Sequence, residues 1–313
     1  FVGSSDIAQY IYSRGTANGK RVQAFGGAKN HGIVMPDADL DQVVNDLAGA
    51  AFGSAGERCM ALPVVVPVGE DTAERLREKL LPAIDKLRPG VSSDPEAQYG
   101  PVVTAEHRTR VENWIQKGVD EGAELVVDGR GFTLQGHEKG FFMGPSLFDH
   151  VTPDMESYRE EIFGPVLQIV PFTDTDRIIG EINAKPKPLA LYVFARDNDF
   201  IEKVLTHTSA GGSCVNHSMV QFLHANLPFG GELPVPLRFY AGDPASESSC
   251  LCQREEVVRP APRMVGNLNA WFPLTTEVAN PPFVYVAVYA SMVGPSTPCI
   301  FSDWHRSSPR ASA

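Results

Sequence analysis

The sequence of 313 residues has no long apolar run and no dense basic segment. No stretch approaches the roughly 20 apolar residues that a membrane-spanning helix needs, and the N-terminus lacks the basic-then-apolar pattern of a signal peptide. Lys and Arg number 27 against 38 Asp and Glu, which gives a formal net charge of -11. Such a balance offers no basic surface for a phosphate backbone. These absences predict a soluble intracellular protein that binds neither membrane nor nucleic acid.

Cysteine is scarce, and its spacing suggests no pairing. The five cysteines form an odd set without a C-x-x-C pair: Cys59, Cys214, Cys250, Cys252 and Cys299. Neither a disulfide framework nor a metal site is therefore expected, and at least one thiol is predicted to be free. Three histidines that lack metal-ligand partners are predicted to be surface or packing residues: His207, His217 and His224.

The chain shows a regular alternation of strand and helix patterns. Helices are predicted after Ser4, from Leu40 to Ala51 with Asp37 or Asp39 as cap, and near 71–87, 105–121, 174–184 and 197–206. Strands are predicted near 62–68, 125–127, 145–148, 166–172, 189–194 and 212–216. The hydrophobic fraction of 43% is sufficient for one large domain or two modest ones. The alternation favours an α/β fold with a mainly parallel sheet.

The composition changes after Gly231. Residues 232–313 contain no lysine, 11 of the 25 prolines and three of the five cysteines. We predict an anomalous proline-rich tail there, either disordered or translated out of frame. Within it, the run from Pro281 to Met292 has the composition of a strand.

Cys59 lies in the stretch FGSAGERCMALPVVV at 52–66. A lone cysteine is more often a small buried hydrophobic residue than a nucleophile. Here the preceding glycines free backbone amides that can stabilise an oxyanion, and Arg58 favours a thiolate. The position between a predicted helix and a predicted strand also places Cys59 at an edge of the sheet. Cys59 is therefore a candidate nucleophile, whereas Cys214 is predicted to be a buried core thiol.

Two further motifs flank the Cys59 segment. QAFGGAKNHGIVMPDADLD precedes it at 23–41, and EEIFGPVLQIVPF follows at 160–172. Together the three motifs resemble the aldehyde dehydrogenase superfamily, and residues 1–170 are most similar to its coenzyme A-acylating methylmalonate-semialdehyde dehydrogenases. Residues 171–231 resemble the class 3 fatty-aldehyde and coniferyl-aldehyde dehydrogenases instead. The chain is therefore interpreted as a composite joined at EEIFGPV.

The resemblance implies roles for individual residues. Cys59 matches the catalytic cysteine. Glu161 matches the carboxylate that holds the hydroxyls of the nicotinamide ribose, and Phe163 matches the aromatic residue beside the nicotinamide. Gly3 and Ser4 match the turn before a helix whose N-terminus receives the pyrophosphate of NAD, where free amides and the helix dipole favour an anion.

Further positions bear on the substrate. Asn216 matches the strand that closes the substrate pocket, and Arg58 either pairs with a substrate carboxylate or has a structural role. Gly26 and Gly27 are expected to shape the wall of the site. Hydrolytic members carry a glutamate that activates water, and the matching position here is Ala24. Because a thiol needs less activation than water, Ala24 favours acyl transfer to coenzyme A.

The resemblance implies a three-layer αβα fold in three parts. Residues 1–25 are expected to be the end of an NAD-binding domain, 26–231 the catalytic domain, and 232–313 the unmatched tail. The implied reaction is NAD-dependent oxidation of malonate or methylmalonate semialdehyde, with loss of carbon dioxide, to acetyl- or propionyl-coenzyme A. Its expected location is the cytoplasm or, in a eukaryote, the mitochondrial matrix.

Two alternatives stay open at this point. One is a hydrolytic fatty or aromatic aldehyde dehydrogenase, and the other is a non-catalytic protein that keeps the fold. Because the chain starts at Phe1, already inside a strand-to-turn pattern, a longer protein truncated at the N-terminus is expected. Residues 1–313 are therefore expected to be inactive alone, and the intact family member is expected to be a homo-oligomer.

Overall fold

The computed structural model describes residues 1–223 and the backbone of two short strands at 256–258 and 288–290. Within this part of the chain, nine strands form one sheet: β1 (His31–Val34), β2 (Val64–Pro67), β3 (Glu124–Val127), β4 (Ser146–Asp149), β5 (Val166–Ile169), β6 (Ala190–Phe194), β7 (Gly212–Val215), β8 (Glu256–Val258) and β9 (Val288–Ala290). Their order is β3-β4-β5-β2-β1-β6-β7-β8-β9. Neighbours are parallel except β3 with β4 and β8 with β9. The predicted α/β fold with a mainly parallel sheet is confirmed.

Helices alternate with the strands, and the apolar spacing predicts all of them except the four-residue helix at Glu156–Arg159. They are α1 (Ser5–Ala17), α2 (Leu40–Phe52), α3 (Glu70–Asp85), α4 (Ala105–Asp120), α5 (Glu156–Arg159), α6 (Thr175–Asn183) and α7 (Asn198–His207), with 3-10 turns at Gly53–Gly56 and Val220–Leu223. Of the two predicted caps of α2, Asp39 is the one whose carboxylate accepts from the amides of Asp41 and Gln42. Asp37 instead accepts from the amides of Arg196 and Asp197.

The core is densest along the central strands. Every residue of β1, β2, β4, β5, β6 and β7 is buried, because both faces of these strands are covered. Most of these residues are apolar, with buried polar exceptions such as His31 and Gln168. The edge strand β3 is exposed at its first residue and half-buried after it. Main-chain pairing of β1 with both β2 and β6 places β1 at the centre of this buried region.

The first 25 residues pack partly on their own. Ala8, Tyr12 and Ala24 form a small buried cluster between α1 and the segment that leads to β1, separate from the main core. Val2 and Phe25 pair as a parallel bridge. This separate cluster agrees with a division near residue 25, and the three-part division of the chain stays a prediction.

Much of the C-terminal region lies outside the described residues. The predicted tail at 232–313 contributes β8 and β9, and β9 falls within the run from Pro281 to Met292. His224, in the predicted catalytic domain, and the tail residues outside β8 and β9 fall outside the described part. None of the described helices has the length and apolarity that crossing a membrane requires.

Candidate active site

Three sequence motifs meet at one edge of the sheet. Residues 26–30 lead directly into β1, residues 53–63 into β2, and residues 160–165 into β5. Because β5, β2 and β1 are adjacent and parallel, their amino ends lie side by side. Cys59 thus lies at the end of the sheet that is formed by the amino termini of these strands, and we call this end the amino-terminal edge.

The turn that carries Cys59 has a left-handed backbone. Ser54, Ala55 and Gly56 have φ values of 53°, 54° and 72°, which residues other than glycine rarely adopt. A Cβ on Gly56 would lie 2.0 Å from the carbonyl oxygen of Gly164. Glycine at position 56 therefore allows the Cys59 turn to contact the EEIFGP motif directly.

Hydrogen bonds fix the backbone around Cys59. Asn30 is buried, and its Nδ2 donates to the carbonyl oxygens of Cys59 and Ala61 at 2.9 and 2.7 Å. Its Oδ1 accepts from the amide of Ala190 at 2.9 Å, at the start of β6. The Cys59 thiol itself is free and half-buried. Asn30 therefore holds the candidate nucleophile against the amino ends of β1 and β6.

Arg58 folds back across the end of α2. Its Nε donates to Ser54 Oγ at 3.0 Å and its Nη1 to the carbonyl of Gly49 at 3.2 Å. A Cβ on Gly53 would lie 2.5 Å from that Nη1. The amide of Gly53 also donates to the Gly49 carbonyl, so Arg58 adds a second, positively charged donor at the last turn of α2. This contact supports the structural alternative, while the side chain also lines the cleft described below.

Glu161 lies against the Gly-Gly step. A Cβ on Gly27 would lie 2.6 Å from Glu161 Oε2, so only glycine leaves room for this carboxylate. Burial raises the pKa of Glu161, while the amide of Ala28 and the charges of Lys29 and Arg110 oppose the shift. Glu160, its neighbour, is exposed. The two glutamates thus have different surroundings, and the cofactor role of Glu161 stays a prediction.

Phe163 has a left-handed backbone with φ 58°. His107 Nε2 lies 2.7 Å from the Phe163 carbonyl oxygen, and the two rings pack edge to face at 6.4 Å. The same Nε2 lies 3.3 Å from Oε1 of Glu57, two residues before Cys59. His107 thus joins the Cys59 turn to the Phe163 turn. Sequence reasoning missed it, because a histidine on a polar helix face carries no distinguishing signal.

One narrow cleft lies beside Cys59, which is not itself among the lining residues. Its walls include residues on both sides of Cys59 together with members of the other two motifs: Arg58, Ala61, Ala28, Glu161, Phe163 and Gly164. The arrangement brings a free thiol, a half-buried carboxylate and an aromatic ring to the same edge of the sheet. A nucleophile with such neighbours can attack an electrophilic carbon held between them.

The remaining predicted site residues have other surroundings. The side chain of Asn216 bonds the backbone of Ala195: its Oδ1 accepts from the Ala195 amide at 2.9 Å, and its Nδ2 donates to the Ala195 carbonyl at 2.8 Å. The amide of Gly3 donates to the Phe25 carbonyl at 3.1 Å, so this amide already has a partner and is not free to bind a phosphate. Ser4 precedes α1 without a side-chain cap, which leaves the first amides of α1 without that partner.

Ala24 does not face the cleft. It is buried against Ala8 and Tyr12 beneath α1. A glutamate at position 24 would therefore lie under α1, and the adjacent position, Phe25, carries no ionisable group either. No carboxylate that could activate water stands at either position before the Gly-Gly step.

Among the described residues, Cys214, His207 and His217 have the buried or surface positions that the sequence predicts. Cys214 is fully buried, and burial raises the pKa of its thiol. His207 is exposed and bonds the Lys203 carbonyl, and His217 is half-buried beside Asp46. No group of histidine, cysteine, aspartate and glutamate in the described part of the chain could hold a metal ion.

Comparison with known proteins gives concordant matches. The aldehyde dehydrogenase family profile matches residues 1–232. Malonate-semialdehyde dehydrogenase of Pseudomonas aeruginosa is 46% identical over 241 residues, which cover 77% of this chain and 46% of that protein. An alignment of that length extends beyond the segment 1–170, and the composite origin of the chain stays a prediction.

Solved structures agree. Methylmalonate-semialdehyde dehydrogenase from Oceanimonas doudoroffii is 48% identical with a TM-score of 0.67, over 69% of this chain and 44% of that one. The NAD+ complex of an aldehyde dehydrogenase from Bacillus cereus is 30% identical with a TM-score of 0.69, over 74% of this chain and 46% of that one. The chain spans about half the length of the relatives it matches.

Proposed function

The chain belongs to the aldehyde dehydrogenase family, and we propose that it contributes the nucleophile and acyl-transfer site of an NAD-dependent, coenzyme A-acylating oxidation. The proposed substrates are malonate and methylmalonate semialdehyde. The observation that carries the proposal is the contact of the Cys59 turn with the Glu161 and Phe163 motif, through Gly56 and Gly164. Relatives with semialdehyde substrates in their names support the choice of substrate.

The residues present suit NAD. Glu161 offers a carboxylate at the cleft wall, beside the Phe163 ring, and a carboxylate can accept hydrogen bonds from ribose hydroxyls. The start of α1 after Ser4 carries uncapped amides that favour a phosphate group. Bound NAD would supply the hydride acceptor of the reaction.

Cys59 performs the covalent part of the proposed mechanism. Its thiolate attacks the aldehyde carbon and forms a carbon-sulfur bond, which gives a thiohemiacetal. Loss of hydride from that carbon leaves a thioacyl group on Cys59. The thiolate of coenzyme A then attacks the thioacyl carbon, and the Cys59 thiolate leaves. Cleavage of the bond between the carboxylate and its neighbouring carbon releases carbon dioxide, and that carbon takes up a proton, which gives acetyl-coenzyme A from the malonate substrate and propionyl-coenzyme A from the methylmalonate substrate.

The two residues before the Gly-Gly step support acyl transfer to a thiol over transfer to water. Ala24 is buried beneath α1 and Phe25 has no ionisable group, so neither position provides a general base for water. Arg58 provides the positive charge at the cleft that a substrate carboxylate requires. Binding there would require the guanidinium to share or leave its contacts with Ser54 and Gly49.

An activated ester tests the nucleophile and the acceptor without NAD. With p-nitrophenyl acetate we expect a stoichiometric burst of p-nitrophenolate that Cys59→Ala abolishes and Cys214→Ala leaves unchanged. Coenzyme A should accelerate the turnover that follows the burst. An unchanged burst in Cys59→Ala would rule out the assigned nucleophile, and turnover indifferent to coenzyme A would favour the hydrolytic alternative.

The oxidation itself is measured separately. NADH formation from methylmalonate semialdehyde, dependent on coenzyme A and lost in Cys59→Ala, is the expected signature of the proposed reaction in the intact protein. The same signal from residues 1–313 alone would contradict the expectation that they are inactive alone.

The proposal includes a location and an assembly. Free thiols at Cys59 and Cys214 suit a reducing compartment, so we place the protein in the cytoplasm or, in a eukaryote, the mitochondrial matrix. For the intact protein we propose a homo-oligomer, as the family resemblance implies. Sedimentation of the intact protein at micromolar concentration checks the assembly.

A further inference from the structure

Lys29 is an ionisable residue that the proposed mechanism does not use. It lies two residues before β1, next to the Gly-Gly step. Its Nζ donates to the carbonyl oxygens of Ser157 and Glu160 at 3.0 and 2.8 Å. Ser157 belongs to α5, and Glu160 directly precedes Glu161. One ammonium therefore bridges the end of α5 to the start of the cofactor motif.

A second contact joins the same two segments. The amide of Ala28 lies close to the Glu161 carboxylate and lowers its pKa, and that carboxylate occupies the space above Gly27. Residues 27–29 thus hold Glu161 by its side chain and the preceding peptide by its carbonyl. Both contacts are needed to fix a side chain, because a carboxylate held at its tip can still swing with an unrestrained backbone.

We propose that Lys29 is a positioning residue that holds Glu161 in place for the nicotinamide ribose. The part of the proposal that concerns the ribose rests on the function proposed above. The part that concerns the backbone rests on the hydrogen bonds of Lys29 alone.

The chemistry of Lys29 agrees with this role. Burial lowers the pKa of Lys29 to about 7, and the carboxylates of Glu161 and Glu160 only partly oppose the shift. His31 also faces this region, and burial lowers its pKa to about 3, so it stays neutral. A methionine of similar length would avoid the cost of a buried charge, but it would donate no hydrogen bond to the Glu160 carbonyl.

The rest of α5 has anchors of its own. Glu121 accepts from the amide and hydroxyl of Ser157 at 3.1 and 2.7 Å, and Gln168 donates to the Ser157 carbonyl at 3.2 Å. Loss of the Lys29 ammonium should therefore release the residues after Glu160 and leave α5 in place. This difference separates a positioning role from general destabilisation.

Site-resolved hydrogen exchange tests the proposal. In Lys29→Met we expect amide exchange at Glu161 to Gly164 to accelerate about tenfold, because one hydrogen bond that restrains this segment is lost, while Arg159 and Glu160 exchange as before. The dissociation constant for NAD should rise about tenfold, as in Glu161→Gln. Lys29→Arg, which keeps a cationic donor, should restore both measurements.

Lys185→Met is the matched control. Lys185 also contacts α5, with its Nζ 4.2 Å above the Tyr158 ring, but it bonds Glu181 at 3.5 Å instead of the carbonyls. Unchanged exchange in Lys29→Met, or equal acceleration in Lys185→Met, would overturn the proposal. Faster exchange with NAD affinity unchanged in both Lys29→Met and Glu161→Gln would support the backbone role and contradict the ribose role of Glu161. Should Lys29→Met fail to fold, Lys29→Leu provides the same comparison, because it also removes the hydrogen-bond donor.

Discussion

Cys59 and Cys214 are both free thiols of one sheet, and their surroundings differ. Cys59 is half-buried in the turn before β2, whereas Cys214 is fully buried within β7. β6 and β8 flank Cys214 on both sides of its strand. Burial, and secondarily the charge of Asp46, raises the pKa of Cys214. A thiol at the amino edge of a parallel sheet can meet a substrate, and one inside a strand cannot.

The two backbones differ as well. The Cys59 turn needs three consecutive left-handed residues and a glycine against Gly164, whereas Cys214 has ordinary strand geometry. Strained turns persist only where the surrounding structure determines them, and they are concentrated at functional sites. The comparison therefore predicts that substitutions near Cys59 change thiol reactivity, and that substitutions near Cys214 change stability alone.

The largest expected effect belongs to Gly56→Ala. A Cβ at a φ of 72° and 2.0 Å from the Gly164 oxygen combines backbone strain with overpacking, so we expect a loss of about 4 kcal/mol in the free energy of unfolding. Cys59 labelling by iodoacetamide should change with it. Urea unfolding and labelling kinetics provide the two measurements.

Gly49→Ala is the matched substitution in the same region. Gly49 lies inside α2 with open space around its Cβ position, so alanine there should stabilise the protein by up to about 1 kcal/mol. Equal losses in the two variants would show that the contact between the two turns is not specific.

A smaller difference in the free energy of unfolding is expected between alanine substitutions of two asparagines. Asn30→Ala removes three hydrogen bonds that hold the Cys59 segment and should cost about 3 kcal/mol. Asn216→Ala removes two bonds to Ala195 beyond the end of the Cys214 strand and should cost about 2 kcal/mol. Only Asn30→Ala should accelerate labelling of Cys59. Acceleration in both variants would mean that labelling reports general loosening.

The smallest effect concerns Asp46, the buried carboxyl near Cys214. Burial raises the pKa of Asp46 from 3.8 to about 7, with Ser218, His217 at 3.6 Å and Cys214 around it. Between these values the folded state binds more protons than the unfolded state, so stability falls as pH rises from 4 to 7.

Asp46→Asn should remove this dependence. Relative to wild type, its free energy of unfolding should increase by at least about 1 kcal/mol between pH 5 and pH 8, with Cys59 labelling unchanged at either pH. Urea midpoints across that range provide the measurement. If the difference in the free energy of unfolding between Asp46→Asn and wild type does not change with pH, the Asp46 pKa is near its ordinary value and the prediction is wrong.

Much of this structure follows from local patterns. Apolar spacing placed α2 from Leu40 onwards, and β-branched runs placed strands such as β2 and β6, because these signals depend only on which face is buried. Cys59 was likewise found from its glycine-rich turn before a strand. Glu161 and Phe163 could be assigned roles only through the resemblance of their motif.

Other features could not be predicted from the sequence. Lys29, Asn30 and His107 act on carbonyl groups of residues 29 to 131 positions away in the chain, and such backbone contacts require no particular residue type at the receiving end. The orientation of Ala24 towards α1 is equally invisible, because it depends on how residues 1–25 pack.

The sequence by itself determined the strands that follow two of the three motifs, β2 and β5, since glycine-rich turns and apolar runs are local signals. It did not predict β1, the strand after the Gly-Gly step. Only the tertiary structure decided that these strands, β5, β2 and β1, are neighbours and parallel. The physical reason is that strand order results from the packing of the whole sheet. That packing brings Cys59, Glu161 and Phe163 to one edge and leaves Cys214 in the interior.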